Sequence, residues 1–192
     1  SSAVEARARR SDVSTGEYLG LTRGLHGHWD KDFHFVQLAS PMFGAALAAA
    51  GAATEGSAEL VEETQLKSVI ASVNKLRPKF LVMVGNLTHA APTDGALFDT
   101  QVESVRKTMA RLSDTIPAIY VPGSRDVGAV PTPTTLQAYR QRFGADYFGF
   151  WYGGMRGLVI NSSLLISPGG APEEADRQET WLTEEIEQCK LC

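Results

Sequence analysis

The stretch "RPKFLVMVGN", Arg77 to Asn86, decides the fold. Phe80 to Val84 is a continuous apolar run, and it stops at Gly85-Asn86. An unbroken run, rather than an alternating one, marks a strand covered on both faces, as in a parallel sheet. Before it, "AELVEETQLKSVIASVNKL" reads as a helix, with Leu66, Val69, Ile70, Val73 and Leu76 three or four apart on one face. Before that helix, "FHFVQLA" (Phe33 to Ala39) reads as a strand. After the deciding stretch come a helix, "LFDTQVESVRKTMARLSD", with Val102, Val105, Met109 and Leu112 inward, and a third strand, "IPAIYVPG". The order strand–helix–strand–helix–strand argues for an α/β fold with parallel strands and right-handed crossovers.

The rest of the chain adds a short helix, "TTLQAYRQRF", and a hairpin, "YFGFWYGGMRGLVINSS", with Gly153-Gly154 near its turn. An amphipathic helix carrying Trp181, Leu182 and Ile186 closes it. No internal repeat and no long low-complexity tract is present.

The sequence has 192 residues, 43% of them hydrophobic, which suits one core and not two full domains. Charged residues make up 21%, and the net charge is −4, so composition gives no reason to bind nucleic acid or an anionic membrane. No apolar run approaches the roughly 20 residues that span a bilayer.

Residues 1–30 are polar, with Arg7, Arg9 and Arg10 clustered, and read as an extended arm ahead of a domain over residues 31–192. The arm is either a tail without structure or a tether that wraps a partner. The start at Ser1, without Met or a signal-peptide core, is read as processing or as a late beginning. Cys189 and Cys192 form a C-x-x-C at the end of a helix, where neither a zinc site nor a redox motif is expected. Two free thiols place the chain in a reducing, intracellular compartment, cytoplasmic or cytoskeletal, with a clipped mitochondrial presequence as the alternative.

Neighbouring parallel strands deliver their carboxyl-end loops to one edge, where ligands bind in such sheets. The three loops are "LASPMFG", "VGNLTHA" and "VPGSRDVG". They offer Ser40 and Met42, then Asn86 and His89, then Ser124, Arg125 and Asp126. One Asp and one His do not satisfy two divalent ions. No G-x-S-x-G elbow surrounds either serine, and no phosphate-cradling glycine pattern is present. The bland reading makes Asn86 an amide tying two loops together and Arg125 one half of a rim ion pair, with Asp126 as a candidate partner.

From about Phe33 to Leu182 the chain resembles the calcineurin-like metallophosphoesterase superfamily, and most of all its calcineurin-like phosphoesterase domain-containing protein 1 group. "FHFVQLASPMFG", "VGNLTHA" and "VPGSRDVG" sit where that group has its motif loops, and "DYFGFWYGG" and "LVINSS" match the framework around them. The resemblance implies a sandwich of mixed sheets flanked by helices, of which this chain is the first half: a βαβαβ core and a hairpin. It also implies metal ligands at four positions that here hold Ser40, Met42, Asn86 and Ser124, and a histidine acting on the leaving group at the position that here holds Arg125. Asp126 persists, but the family pattern does not use it as a ligand. The family's remaining histidine ligands are expected beyond the last helix.

These departures lead to the expectation of a degenerate site: no metal, no cofactor, no catalytic residue, and a non-catalytic pseudo-phosphoesterase acting as a scaffold or interaction subunit. The alternative is an active metal-dependent phosphatase, for example through a shifted single-metal site that uses Asp126 and His89. A third reading is a phosphate- or nucleotide-binding module in which Arg125 holds the anion. The expected partners are other protein subunits or the missing half of the fold, with Trp151 or Trp181 at or beside the contact.

Overall fold

The computed structural model describes residues 11–12, 16–51 and 61–190. Arg7, Arg9, Arg10 and Cys192 lie outside them. Three parallel strands, β3 (Val36–Ala39), β4 (Leu81–Val84) and β5 (Ala118–Val121), form one sheet in sequence order. Val36, Leu81 and Ala118 stand in one register row. A second sheet runs β1 (Ser11–Asp12), β2 (Glu17–Tyr18), β6 (Phe148–Tyr152) and β7 (Met155–Val159). Its last two strands are the expected hairpin, turning at Gly153-Gly154 with positive φ at both glycines. The architecture is mixed α/β, two small sheets flanked by helices, in agreement with what the resemblance implies.

The first sheet is covered on one face by helices. In chain order the helices of the described residues are α1 (Arg23–His26), which lies against β6 of the second sheet, α2 (Ala45–Ala49), α3 (Val61–Leu76), α4 (Ala96–Met109), α5 (Ser124–Val127), α6 (Pro133–Phe143), α7 (Ser162–Ile166) and α8 (Pro172–Lys190). Leu66, Ile70 and Val73 of α3 join Val102, Val105 and Met109 of α4 in the larger core with Leu81 and Met83. The expected stripe of α3 is too wide. Val69 is at the boundary of exposure and Leu76 is 60% exposed, because α3 meets α4 along a narrower seam. The first strand is also shorter than expected. Phe33 and Phe35 precede it and act through their rings, Phe35 stacking on Phe80 with centroids 4.9 Å apart.

The other face packs against the hairpin. Tyr18, Leu21, Phe80, Ile119, Phe148 and Val159 form a second core between the two sheets. Tyr18 and Leu21 belong to the stretch expected to be an arm over residues 1–30. Instead, β2 pairs with β6, and the Tyr18 hydroxyl donates to the Ala118 carbonyl at 3.0 Å. Two buried anchors are enough to attach a polar segment, since each apolar side chain taken out of water contributes about 1.5–3 kcal/mol. The guanidinium groups of Arg23 and Arg156 both lie over the Trp151 ring, at 5.4 and 5.6 Å from its centroid, and Trp181 packs on Tyr147.

A buried polar network ties α6 to the hairpin and α8. Arg140 Nε donates to Asp146 Oδ1 at 2.5 Å and its NH2 to Glu174 Oε2 at 2.8 Å. Asn161 Nδ2 reaches the other Asp146 oxygen at 3.0 Å, and Gln178 holds both backbone groups of Asn161. Burial works against the Arg140 charge, but Asp146 and Glu174 outweigh it and hold the guanidinium above its usual range.

Candidate functional site

The loops after β3, β4 and β5 meet at one edge of the sheet, and they interlock through backbone before any side chain is considered. The Ser40 amide donates to the carbonyls of Val84 and Gly85, at 3.0 and 3.1 Å. Met42 and Phe43 donate to Asn86 and Leu87, both at 3.1 Å, and His89 returns a bond to Phe43 at 2.9 Å. This is a short parallel extension of the β3–β4 ladder beyond a bend, with Phe43 bridged to Thr88. The bend needs unusual backbone. Ser40, Met42 and Asn86 have φ of 48°, 45° and 51°, in the left-handed region that costs non-glycine residues energy. Strain of this kind concentrates at functional rims.

The β4 and β5 loops touch even more closely. A Cβ at Gly123 would come within 2.4 Å of the Asn86 amide nitrogen, so only glycine fits. Asn86 Oδ1 accepts the Arg125 amide at 3.1 Å, and Arg125 NH1 donates to the His89 carbonyl at 2.6 Å. Asn86 therefore ties the two loops together. The rim ion pair of Arg125 with Asp126 does not form: Asp126 turns inward, is 1% exposed, and accepts the amides of Leu87 and Gly123 at 2.7 and 2.8 Å. Burial pushes its carboxyl up to about 6, and the backbone amides of Gly123 and Leu87 pull back only part of the way. Beneath it stands Tyr139, fully buried with a hydroxyl that finds no partner among the described residues. Burial, then the Asp126 and Asp146 charges, keep that phenol well above its ordinary range.

The five candidate positions thus share one rim. Asn86 and Arg125 are in direct contact, Met42 is bonded to the Asn86 backbone, Ser40 sits at the end of the ladder beside them, and Ser124 is exposed next to Arg125. They offer two hydroxyls, a thioether, an amide and a guanidinium. Among the described residues no three of His, Cys, Asp and Glu come together in a way that could hold a metal ion. Hard divalent ions want carboxylate and imidazole donors, so this donor set alone does not fit the two-metal centre that the family implies. A shifted site on Asp126 and His89 does not fit either. Both Asp126 oxygens are committed to the backbone amides of the rim loops, and the carboxyl group is buried.

Comparison with known proteins was made for the whole chain, and no family model matches it. Curated relatives do. A zebrafish (Danio rerio) protein named Serine/threonine-protein phosphatase CPPED1 is 36% identical over 175 residues, 88% of this chain and 56% of its own length. The bovine (Bos taurus) protein of that name is 35% identical over 94% of this chain and 56% of its own length. The human (Homo sapiens) one is 34% identical over 82% and 51%.

The chain is a homologue of the calcineurin-like phosphoesterases. It spans about half the length of the curated relatives it matches. Those names overturn the expectation of a non-catalytic pseudo-phosphoesterase scaffold that is not an enzyme. Each of these relatives is named a phosphatase. The error has a physical source. Ligands were counted over a length that is about half of the relatives, and such a count does not bound the chemistry of a site completed by further groups. Sequence reading also missed the roles of Asp126 and Tyr139. A carboxylate three residues after a turn glycine can reach back to the turn's amide, and the spacing Gly123 to Asp126 carried that signal.

Among the described residues, no helix is long and apolar enough to cross a membrane. Cys189 is an exposed free thiol.

Proposed function

We propose that this chain forms the phosphate-facing rim of a phosphomonoester hydrolase of the serine/threonine phosphatase kind. The observation that carries the reading is the match, over 82–94% of the chain, to proteins that bear that name. The rim adds a chemical role for its own residues. Arg125 spends one donor on the His89 carbonyl, and a guanidinium has five. A phosphoryl oxygen is a natural acceptor for the rest, as a charge-assisted bond. The Ser124 hydroxyl stands beside it at the exposed edge. Asn86 fixes the Arg125 backbone, so the cation is held in place rather than carried on a free loop.

Hydrolysis in this reading draws on groups beyond the described residues, and no metal-borne step is assigned to this donor set. The test is turnover of a phosphoserine peptide by the longest natural form of the protein, with Arg125→Ala beside the wild type. Loss of one preorganised donor to the phosphoryl group costs on the order of 100-fold in kcat/KM. Unchanged kcat/KM would remove Arg125 from the site. Saturable phosphate binding with no turnover would instead favour a phosphate-binding module.

A further inference from the structure

Alternation along the second sheet puts Tyr18 and Phe148 in the core between the sheets and turns Glu17, Gly149 and Trp151 to the opposite face. Arg156 stands opposite Trp151 in the hairpin and shares that face. A cleft of about 770 Å³ lies there between the strands and α8, with Trp151 and Trp181 among its walls. Small-molecule sites usually measure about 300–1,000 Å³. Its floor is built around one guanidinium. Arg156 lies across Gly149, where a Cβ would come within 2.1 Å of its NH2, so the strand glycine makes the room. The Arg156 side chain is 8% exposed, and Glu185 of α8 accepts its Nε at 2.8 Å and its NH2 as well. Arg156 NH1 finds no hydrogen-bond partner among the described residues. Glu17 Oε1 stands 3.8 Å from it, beyond hydrogen-bond distance. A buried donor and a carboxylate acceptor thus face each other across a gap that neither closes.

Charge narrows what fits. A cation would sit beside the guanidinium groups of Arg23 and Arg156, both over Trp151. An anion would meet Glu17, Glu184 and Glu185, which all line the cleft. A neutral ligand that donates and accepts at one atom meets neither objection. A hydroxyl does this, with one O–H and two lone pairs. It can donate to Glu17 and accept from Arg156 NH1, and so satisfy the buried group that is costly to leave unpaired. The indoles offer broad, rigid apolar surface to the C–H face of a ring. We infer that this cleft binds a neutral polyhydroxylated ring, a pyranose or a cyclitol, with one hydroxyl bridging Glu17 and Arg156. The inference stands apart from the phosphatase reading, because none of the rim positions lines this cleft.

Isothermal titration calorimetry on the longest natural form of the protein tests it. The probes are methyl α-glucopyranoside and myo-inositol, with agmatine as a cationic control and glucuronate as an anionic one. Saturable binding of a neutral probe at about millimolar Kd or tighter is expected, and the tighter of the two says whether a pyranose or a cyclitol is the source. Glu17→Ala removes the acceptor at a half-exposed position, so the fold should tolerate it. It should weaken the neutral probe by about 10-fold or more, the usual consequence of losing a hydrogen bond to a charged group. No saturation by either neutral probe overturns the inference and leaves the gap to water. Binding that Glu17→Ala does not change also overturns it, as does tighter binding of agmatine or glucuronate than of both neutral probes.

Discussion

Asp126 Oδ1 accepts the amide of Leu87 at 2.7 Å, joining two loops 39 positions apart in sequence. Its other oxygen accepts Gly123, so one carboxyl group stitches the β4 rim to the β5 rim. The Asp126 pKa is raised from 3.8 to about 6. A raised folded-state value means the folded protein holds the proton more tightly than the unfolded one. The stability it confers is full below about pH 4 and is lost as pH climbs through 6, a swing of about 3 kcal/mol. Asp126→Asn cannot titrate. Urea denaturation should find the wild type's advantage over that variant larger at pH 4 than at pH 8 by about this amount, and a constant gap would refute the assignment.

Gly123→Ala should disturb the rim and the fold together. Its Cβ would meet the Asn86 amide at 2.4 Å and Asn86 Oδ1 at 2.6 Å, and that oxygen already accepts the Arg125 amide. Overpacking of this kind costs about 1–3 kcal/mol. A thermal melt reads the loss, and a melting temperature equal to the wild type's would show that the loops can part freely.

Asp146→Ala removes the centre of the Arg140, Glu174 and Asn161 network. Asp146 is buried, and Arg140 would keep only Glu174 as its carboxylate partner. Breaking one side of such a pair costs about 3–5 kcal/mol. Equilibrium unfolding at neutral pH should register it, whereas Lys67→Ala, which breaks a half-buried i,i+4 helix pair with Glu63, should cost less, about 1 kcal/mol or under.

The parallel core was readable because Phe80 to Val84 and Ile116 to Val121 carry their burial in the run itself, and Gly153-Gly154 announced the hairpin. Tyr18 and Leu21 were not readable. Two isolated apolar residues in a polar stretch have no period, and only the tertiary partners Phe148 and Ile119 reveal them as core. The five rim positions could be placed on one edge from strand order alone. Their contacts could not, because the left-handed turns at Ser40, Met42 and Asn86 fix which groups face each other, and none of these residue types demands that backbone. Asp126 looked like a partner for Arg125 because the two are adjacent. Adjacency in a short turn sends successive side chains apart, one to solvent and one inward.

Those three left-handed residues limit how the rim can vary. Val, Ile and Thr are disfavoured at 40, 42 and 86 by backbone geometry, whereas Gly, Asn and Asp enter there most cheaply. In a saturation library selected only for folded protein, these positions would drift toward that small polar alphabet without any selection for activity. Two of its members, Asn and Asp, differ only by an amide for a carboxylate, so at Asn86 a neutral loop clamp and an anionic oxygen donor are separated by a single isosteric exchange.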